Sequence, residues 1–339
     1  MDKTTKLLKK ENLTDAINAL LPSYEVFAPV GEGERLAFTK IGAESSGKIN
    51  LSGLPAVSPK DLLFPRSETL YGISLDTGET YQQEEALPTA IFGIRPCDAR
   101  GIVNLDRVFI DEAYTDSAYA DRREKLTIVT AACGVVQSPA CFCDSMGGGP
   151  DSEEGSDAIL TETDDGSVFL VSFLTEKGDE IGKIWESAGL ISSPGKAKAA
   201  APPSCELKVT KPADLPEKLK AAFEDPAWGR FSEACIGCGA CSFICPTCYC
   251  FDIDSETHGG IAEQLRCWDC CVFSDYSRMA GGHNPRPTKK ERLRQRYLHK
   301  LSWFDERYGR TLCVGCGRCI MKCPAGLDIA SIIEWGGTL

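Results

Sequence analysis

One cysteine pattern occurs twice in the last third of the chain and constrains its fold more than any other feature. Both copies read C-x2-C-x2-C-x3-C-P, a spacing typical of paired iron–sulfur clusters in bacterial proteins. The first copy contains Cys235, Cys238, Cys241 and Cys245, and the second contains Cys313, Cys316, Cys319 and Cys323. With this spacing, three thiolates of one copy and the fourth of the other bind each cluster. We therefore expect one [4Fe-4S] cluster at Cys235, Cys238, Cys241 and Cys323, and a second at Cys313, Cys316, Cys319 and Cys245.

Structural zinc is the alternative for closely spaced cysteine pairs. Zinc sites usually take their four ligands as two separated pairs, without a third cysteine at the same interval or a proline after the fourth. Glycines stand between the cysteines of both copies, at Gly237, Gly239, Gly315 and Gly317. Because backbone amides must approach the cluster sulfurs closely, a residue without a Cβ favours the iron–sulfur interpretation.

Length and composition limit the class of protein. A chain of 339 residues with 42% hydrophobic and 25% charged residues is typical of a soluble globular protein with room for two domains. The first 20 residues are charged and no apolar stretch approaches a membrane span, so we expect a reducing cytoplasm and oxygen-poor growth. The net charge of −12 argues against nucleic acid as a partner.

The hydrophobic pattern predicts two domains. Residues 1–195 alternate apolar runs with helical patterns, which indicates an α/β domain. Residues 196–212 are rich in Ser, Pro, Ala and Lys and are predicted to be a linker. Residues 213–339 are predicted to form an α+β, bacterial two-cluster ferredoxin-like domain with a long insertion at 247–312. Finer predictions are helices at 5–20, 99–108, 179–188, 215–223 and 289–304, and strands at 25–30, 36–40, 90–94, 126–132 and 167–174.

Four cysteines of the first half leave two interpretations open. Cys97, Cys133, Cys141 and Cys143 lie in loops or at predicted strand ends, close to a glycine run at 147–149. Each of them can be buried as a small hydrophobic residue. Together they are the right number for a third [4Fe-4S] cluster, although their spacing matches no standard pattern.

The remaining cysteines carry weaker signals. Five lie in the insertion, and we expect them to pack around a cluster, a further metal site being the alternative. They are Cys248, Cys250, Cys267, Cys270 and Cys271. Cys205, in the linker, is expected to be a plain thiol.

The insertion also contains a basic amphipathic helix. Leu293, Tyr297 and Leu301 fall on one stripe and are expected to pack against the ferredoxin-like core. Residues 286–300 carry seven Lys or Arg against one Glu, in a chain that is acidic overall. This segment is predicted to be either a solvated charged face or a docking surface for an acidic partner, and we favour docking.

No sequence pattern supports nucleotide binding or hydrolysis. Neither 31–33 nor the glycine run at 147–149 has the context of a dinucleotide or phosphate loop. The three histidines, His258, His283 and His299, are scattered without a nucleophile or acid beside them. We therefore assign no catalytic residue in this chain.

Several motifs resemble one known family: the β subunit of NAD(P)-linked sulfhydrogenases, together with the equivalent iron–sulfur subunit of anaerobic sulfite reductase. Besides the two cysteine patterns, they lie at 92–99 (FGIRPCDA), 122–124 (RRE), 141–147 (CFCDSMG), 245–252 (CPTCYCFD), 268–270 (WDC) and 282–286 (GHNPR). The resemblance implies an iron–sulfur relay between a flavin subunit that takes electrons from a nicotinamide nucleotide and a separate catalytic subunit. Similar subunits serve hydrogenases, sulfite reductases and heterodisulfide-reductase-like complexes.

The main prediction is therefore an electron-transfer subunit without substrate chemistry of its own, the flavin being expected on a partner subunit. Two other classes stay open. A self-contained reductase would bind a small oxidant at the N-terminal domain, and an assembly subunit would use its clusters for structure alone. Cluster potentials vary by about 1 V with hydrogen bonding and exposure, so the sequence does not set the direction of electron flow.

Overall fold

A computed structural model describes residues 4–82, 85–111 and 113–339. Its larger sheet has the strand order β10-β1-β9-β8-β7-β6-β2-β3, and its smaller sheet has the order β11-β12-β4-β5. In chain order the strands are β1 Thr4–Lys9, β2 Glu25–Val30, β3 Ala37–Lys40, β4 Ser67–Ser74, β5 Thr80–Gln82, β6 Thr89–Ile94, β7 Leu126–Ala131, β8 Ala158–Glu162, β9 Val168–Phe173, β10 Ile191–Ser192, β11 Phe251–His258 and β12 Ile261–Trp268. The mixed sheets agree with the expected α/β character of the first half.

Helices cover the larger sheet and build most of the C-terminal part. They are α1 Leu13–Asn18, α2 Pro96–Phe109, α3 Ser117–Glu124, α4 Glu176–Ser187, α5 Leu215–Ala221, α6 Ala227–Ser232, α7 Ala240–Phe243, α8 Lys289–Leu298, α9 Phe304–Tyr308, α10 Arg318–Met321 and α11 Ile329–Thr338. A π-helical turn, His299–Trp303, joins α8 to α9. None of the described helices is long and apolar enough to cross a membrane.

The centre of the larger sheet is parallel and directs two cysteines to one edge. Strands β2, β6, β7 and β8 are parallel neighbours, and every residue of β7 is buried. Strand β6 runs into Arg95 and then α2, which begins at Pro96 with its fixed backbone angle. Cys97 therefore lies in the first turn of α2, and Cys133 follows β7 at the same carboxyl edge of the sheet.

The predicted helix at 5–20 is wrong for its first half. Residues 4–9 form β1, an antiparallel strand between β9 and β10. Pairing on both sides buries Leu8 completely in the core beside Phe92 and Trp185. Sheet pairing thus overrides the helical spacing of the leucines, and the helical part of the segment is a 3-10 turn at Lys10–Asn12 followed by α1.

The C-terminal core also contains residues from the first half of the chain. Phe142 and Met146 pack in one cluster with Leu215, Leu219 and the apolar stripe of α8. The smaller sheet likewise joins β4 of the first half to the β11–β12 hairpin of the insertion. The division into 1–195, 196–212 and 213–339 stays a prediction, but the two predicted domains share packed surfaces.

Candidate iron–sulfur centres

The thiols predicted for the first cluster lie together. Cys235, Cys238 and Cys241 of the first motif line one cavity with Cys323 of the second motif. The cavity walls include Leu293, Tyr297 and Ile329, and Cys319 also reaches the cavity. Three thiols from one motif and one from the other are the donor set that a cubane requires, so the residues present fit the group.

Short backbone loops hold these thiols. Gly237 and Gly239 adopt φ values of 71° and 74°, in the left-handed region that favours glycine. The backbone N–H of Leu327 donates to Cys323 Sγ at 3.2 Å. The loop is open at one side, because Cys238 is exposed and Ile236 is 68% exposed.

The thiols predicted for the second cluster are also neighbours. The Cys245 thiol interacts electrostatically with each of Cys313, Cys316 and Cys319. Burial raises the pKa of the Cys313 thiol to about 11, and it also raises the pKa values of Cys316 and Cys319. Thiolates in so apolar a setting require a nearby positive charge, which iron supplies, so this group also fits a cluster.

The second motif packs directly against the N-terminal half. A Cβ on Gly315 would lie 2.6 Å from Phe142 O, and one on Gly317 would lie 2.4 Å from Ala140 O. The N–H of Phe142 donates to Gly315 O at 2.8 Å. Glycine at these two positions therefore permits close contact between the second motif and the loop that carries Cys141 and Cys143.

Three buried cations lie among the cysteines of the first motif and the insertion. Lys60 Nζ donates to the carbonyl of Cys248 at 2.7 Å. Arg296 donates to Cys241 O at 2.7 Å and Cys248 Sγ at 3.4 Å. Lys300 Nζ donates to Cys245 Sγ at 3.4 Å. The three side chains are only 2–3% exposed. Buried cations of this kind are stable only beside compensating negative charge, such as thiolate.

Cys245 and Cys248, beside these cations, are hydrogen-bonded to each other. The hydrogen bond with Cys245, together with Lys300 and Arg296, lowers the pKa of Cys248 to about 5 against the opposing effect of burial. The pKa of Lys300 is lowered by burial but raised more by the Cys245 and Cys248 thiolates, so it ends above the ordinary value. The pair therefore holds at least one negative charge at neutral pH.

The predicted docking surface on the basic helix is wrong for two of its cations. Arg296 and Lys300 point into the protein, and the Arg292 guanidinium donates to the carbonyls of Arg286 and Pro287. The apolar stripe is confirmed, because Leu293, Tyr297 and Leu301 are all buried in the C-terminal core. Two of the seven cations of this segment thus lie beside the cysteine groups rather than on the surface.

The four N-terminal cysteines lie in one place. Cys97, Cys133, Cys141 and Cys143 line a single cavity, which also contains Cys205 and reaches Gly315 and Cys316. Cys143 Sγ and Cys205 Sγ are 3.7 Å apart, and Cys141 Sγ lies 3.8 Å from the carbonyl of Cys316. Sequence reasoning missed Cys205, since a single cysteine in a Pro/Ala-rich segment matches no ligand pattern. The four predicted thiols fit a cluster in number, Cys205 adds a fifth thiol to the cavity, and the group adjoins the second motif.

The insertion cysteines pack near the first motif, as expected, with one exception. Cys270 Sγ lies 3.9 Å from Gly239 O, and Cys250 and Cys271 are hydrogen-bonded neighbours. Cys267 lies apart, 3.3 Å from Ser67 Oγ. In the described part of the chain, no group of three or more His, Cys, Asp or Glu side chains is arranged to hold a single metal ion.

A buried ion pair connects the N-terminal and second-motif cysteines. Arg318 donates to both carboxylate oxygens of Asp98, at 2.6 and 2.7 Å, and its Nε donates to Pro55 O. Asp98 follows Cys97 on α2, and Arg318 precedes Cys319 on α10. This pair fixes the two cysteine-bearing helices relative to each other, and no sequence pattern indicated it.

Comparison with known proteins supports the iron–sulfur interpretation. A family model described as a 4Fe-4S dicluster domain matches residues 234–327, and such a domain implies two [4Fe-4S] clusters. Sulfhydrogenase 2 subunit beta of Pyrococcus furiosus is 29% identical over 335 residues, which cover 96% of each chain. The predicted resemblance is therefore confirmed: the chain is similar to a sulfhydrogenase β subunit over almost its whole length, and its C-terminal part contains a 4Fe-4S dicluster domain.

Proposed function

We propose that this chain is the iron–sulfur electron-transfer subunit of a multi-subunit oxidoreductase of the sulfhydrogenase type. In this proposal it connects a flavin- and NAD(P)-binding subunit with a catalytic or acceptor subunit, as a hydrogenase, sulfite reductase or heterodisulfide-reductase-like protein. The similarity to a sulfhydrogenase β subunit over almost the whole chain supports the assignment to such a complex.

The observation that carries the proposal is the interleaving of the two cysteine motifs. Cys323 of the second motif joins the first group, while Cys245 of the first motif joins the second group. We assign Cys235, Cys238, Cys241 and Cys323 as ligands of one [4Fe-4S] cluster, and Cys313, Cys316, Cys319 and Cys245 as ligands of the other. Bound clusters of this type supply one-electron transfer between their 2+ and 1+ states.

The surrounding residues give the two groups different environments. The first group reaches the surface beside Cys238 and Ile236, which suits exchange with a partner subunit. The second group is covered by the loop of Phe142 and by α8. In this proposal the first group is the exposed end of the relay, and the second group lies further inside the protein.

A third [4Fe-4S] cluster held by the N-terminal cysteines would extend the relay. The cavity lined by Cys97, Cys133, Cys141 and Cys143 also reaches Cys316 of the second group. The three cysteine groups, one beside the next, would then form a path for electrons from the exposed first motif into the N-terminal half. We place the flavin on a partner subunit and assign no catalytic residue here.

Anaerobic co-purification from the native organism tests the proposal. We expect the chain to purify with a flavoprotein and a further redox subunit, and to contain at least about eight iron and eight sulfide per chain. Turnover of a small oxidant by the isolated chain with an artificial reductant would favour a self-contained reductase instead. Clusters that dithionite does not reduce would favour an assembly role.

A further inference from the structure

The N-terminal cavity contains five thiols, one more than a cubane binds. Cys97 comes from α2, Cys133 follows β7, and Cys141 and Cys143 lie in the loop that packs on the second motif. Cys205 lies 62 residues after Cys143 in the chain, and it is 3% exposed. A cubane has four corners, so a set of five thiols around one cavity requires an account of the fifth.

Two of the five thiols compete for the same position. The ligand sulfurs of a cubane bind four different irons and lie well apart from one another, whereas Cys143 Sγ and Cys205 Sγ are in contact at 3.7 Å. Both sulfurs line the same cavity as the other three. We propose that Cys97, Cys133 and Cys141 bind three corners of a [4Fe-4S] cluster, and that Cys143 and Cys205 are alternative ligands of the fourth.

Contacts of the polypeptide itself hold Cys205 in this place. The backbone N–H of Cys205 donates to Asp144 Oδ2 at 3.2 Å, and Lys208 Nζ lies 2.5 Å from the same oxygen. The N–H of Val209 donates to Ser145 Oγ at 3.2 Å. The segment after Cys205 is therefore fastened to the turn that follows Cys143, which keeps the two thiols adjacent.

A buried cation near Cys143 indicates that this part of the cavity holds negative charge. The Arg100 guanidinium is a near neighbour of both Cys143 and Cys313. Its Nη1 is buried and finds no hydrogen-bond acceptor among the described residues, although Nε pairs with Glu154 at 3.3 Å. A buried donor without an acceptor is costly, and an anionic thiolate-bound cluster nearby would offset that cost.

Exchange between the two thiols requires no oxidant or reductant. Cys205 would replace Cys143 as the fourth ligand, and the proton of the Cys205 thiol would pass to the released Cys143 thiolate. No electron is transferred, so the exchange leaves the oxidation state of the site unchanged. The inference rests on the third cluster of the proposed function, but the two-cluster relay does not depend on it.

Iron content of the full chain, purified anaerobically, tests the inference. We expect about twelve iron per chain in the wild type, four for each of three clusters. Cys143→Ser and Cys205→Ser should each retain about twelve, with altered electron paramagnetic resonance (EPR) g-values for one cluster, and the double variant should fall to about eight. Cys133→Ser alone should also fall to about eight, and Cys267→Ser is the matched control that should retain twelve.

Several results would refute the proposal that Cys143 and Cys205 are alternative ligands of the same iron. Loss of about four iron in only one of the two single variants would identify that cysteine as the sole ligand. Full iron content in the double variant would remove both from the site. A wild type with only about eight iron would refute the third cluster and leave the two-cluster relay standing. Thermal unfolding of each variant separates loss of iron from loss of fold.

Discussion

Lys300 Nζ lies 3.4 Å from Cys245 Sγ and 2.9 Å from Thr247 Oγ1, and the lysine side chain is buried. The sulfur belongs to the group we assign to the second cluster. A buried ammonium that donates to a ligand sulfur stabilises the more negative, reduced form of a cluster. Lys300 thus stabilises the reduced form of the cluster that we assign to the second group.

Replacing Lys300 should lower the potential of the second cluster. A hydrogen bond to a charged group is worth about 1.5–3 kcal/mol, which corresponds to roughly 60–130 mV for one electron. We expect Lys300→Met to lower one midpoint potential by about that amount in an EPR-monitored redox titration. Lys289→Met, at the exposed start of α8, is the control. An unchanged or raised potential in Lys300→Met would contradict this role.

Each proposed cluster takes three ligands from one motif and one from the other, and this assignment predicts which cysteine variants damage the same cluster. Cys245→Ala and Cys319→Ala should damage the same cluster, although 74 positions separate them in the sequence. Cys323→Ala should damage the other cluster, together with Cys235→Ala. EPR spectra of the reduced variants distinguish the two sets. Spectra in which Cys245→Ala matches Cys235→Ala instead would show that each motif binds its own cluster.

Removal of one partner of the Asp98–Arg318 pair should be strongly destabilising. Both side chains are buried, so Asp98→Asn leaves the guanidinium without its counter-charge, at a cost of about 3–5 kcal/mol. Glu186→Gln, which breaks the more exposed pair with Lys6, should cost less than about 1 kcal/mol. Anaerobic thermal unfolding compares the two. Equal shifts in melting temperature would show that the buried pair does not fix the helices.

His299 should make the fold sensitive to mild acid. Burial lowers the pKa of His299 to about 4, and its Nε2 lies 2.7 Å from the Tyr249 hydroxyl. Because the unfolded chain binds a proton near pH 6.5 and the folded chain does not, stability falls as the pH drops below 6.5. Between pH 7 and 5.5 the loss from this residue is about 1 kcal/mol.

A variant comparison isolates that contribution. His299→Gln should lose less stability than the wild type between pH 7 and 5.5, and His258→Gln on the exposed hairpin should behave as the wild type does. Anaerobic unfolding at each pH measures the difference. If His299→Gln and the wild type have the same pH dependence, protonation of His299 does not control acid stability.

The sequence predicted local features better than those set by distant partners. The thiol groups were predictable because C-x2-C-x2-C-x3-C-P places its ligands within short loops. Strands such as β6 and β7 were predictable from their buried apolar runs. The strand β1 was missed because its pairing partners lie more than 150 residues away.

The roles of the buried charged residues were also not predictable from the sequence, because they depend on distant partners. Lys300 and Arg296 fall on a polar stripe, and the pattern of α8 alone cannot reveal that thiols of the first motif and the insertion cover this stripe. Cys205 belongs to no motif and reaches its group only through the contacts of Asp144 and Ser145. Their roles depend on tertiary neighbours that sequence spacing does not encode.

The central claim is that this chain carries electrons between a flavoprotein partner and an acceptor subunit. Rapid-freeze EPR of the anaerobically isolated complex, mixed with a nicotinamide nucleotide, tests it most directly. We predict that reduced iron–sulfur signals from this chain appear before the acceptor is reduced, and that Cys319→Ala abolishes acceptor reduction while flavin reduction persists. Two results together would contradict the account. The Cys319→Ala variant would reduce the acceptor at the wild-type rate, and the clusters of this chain would be reduced by dithionite but not by the nicotinamide nucleotide.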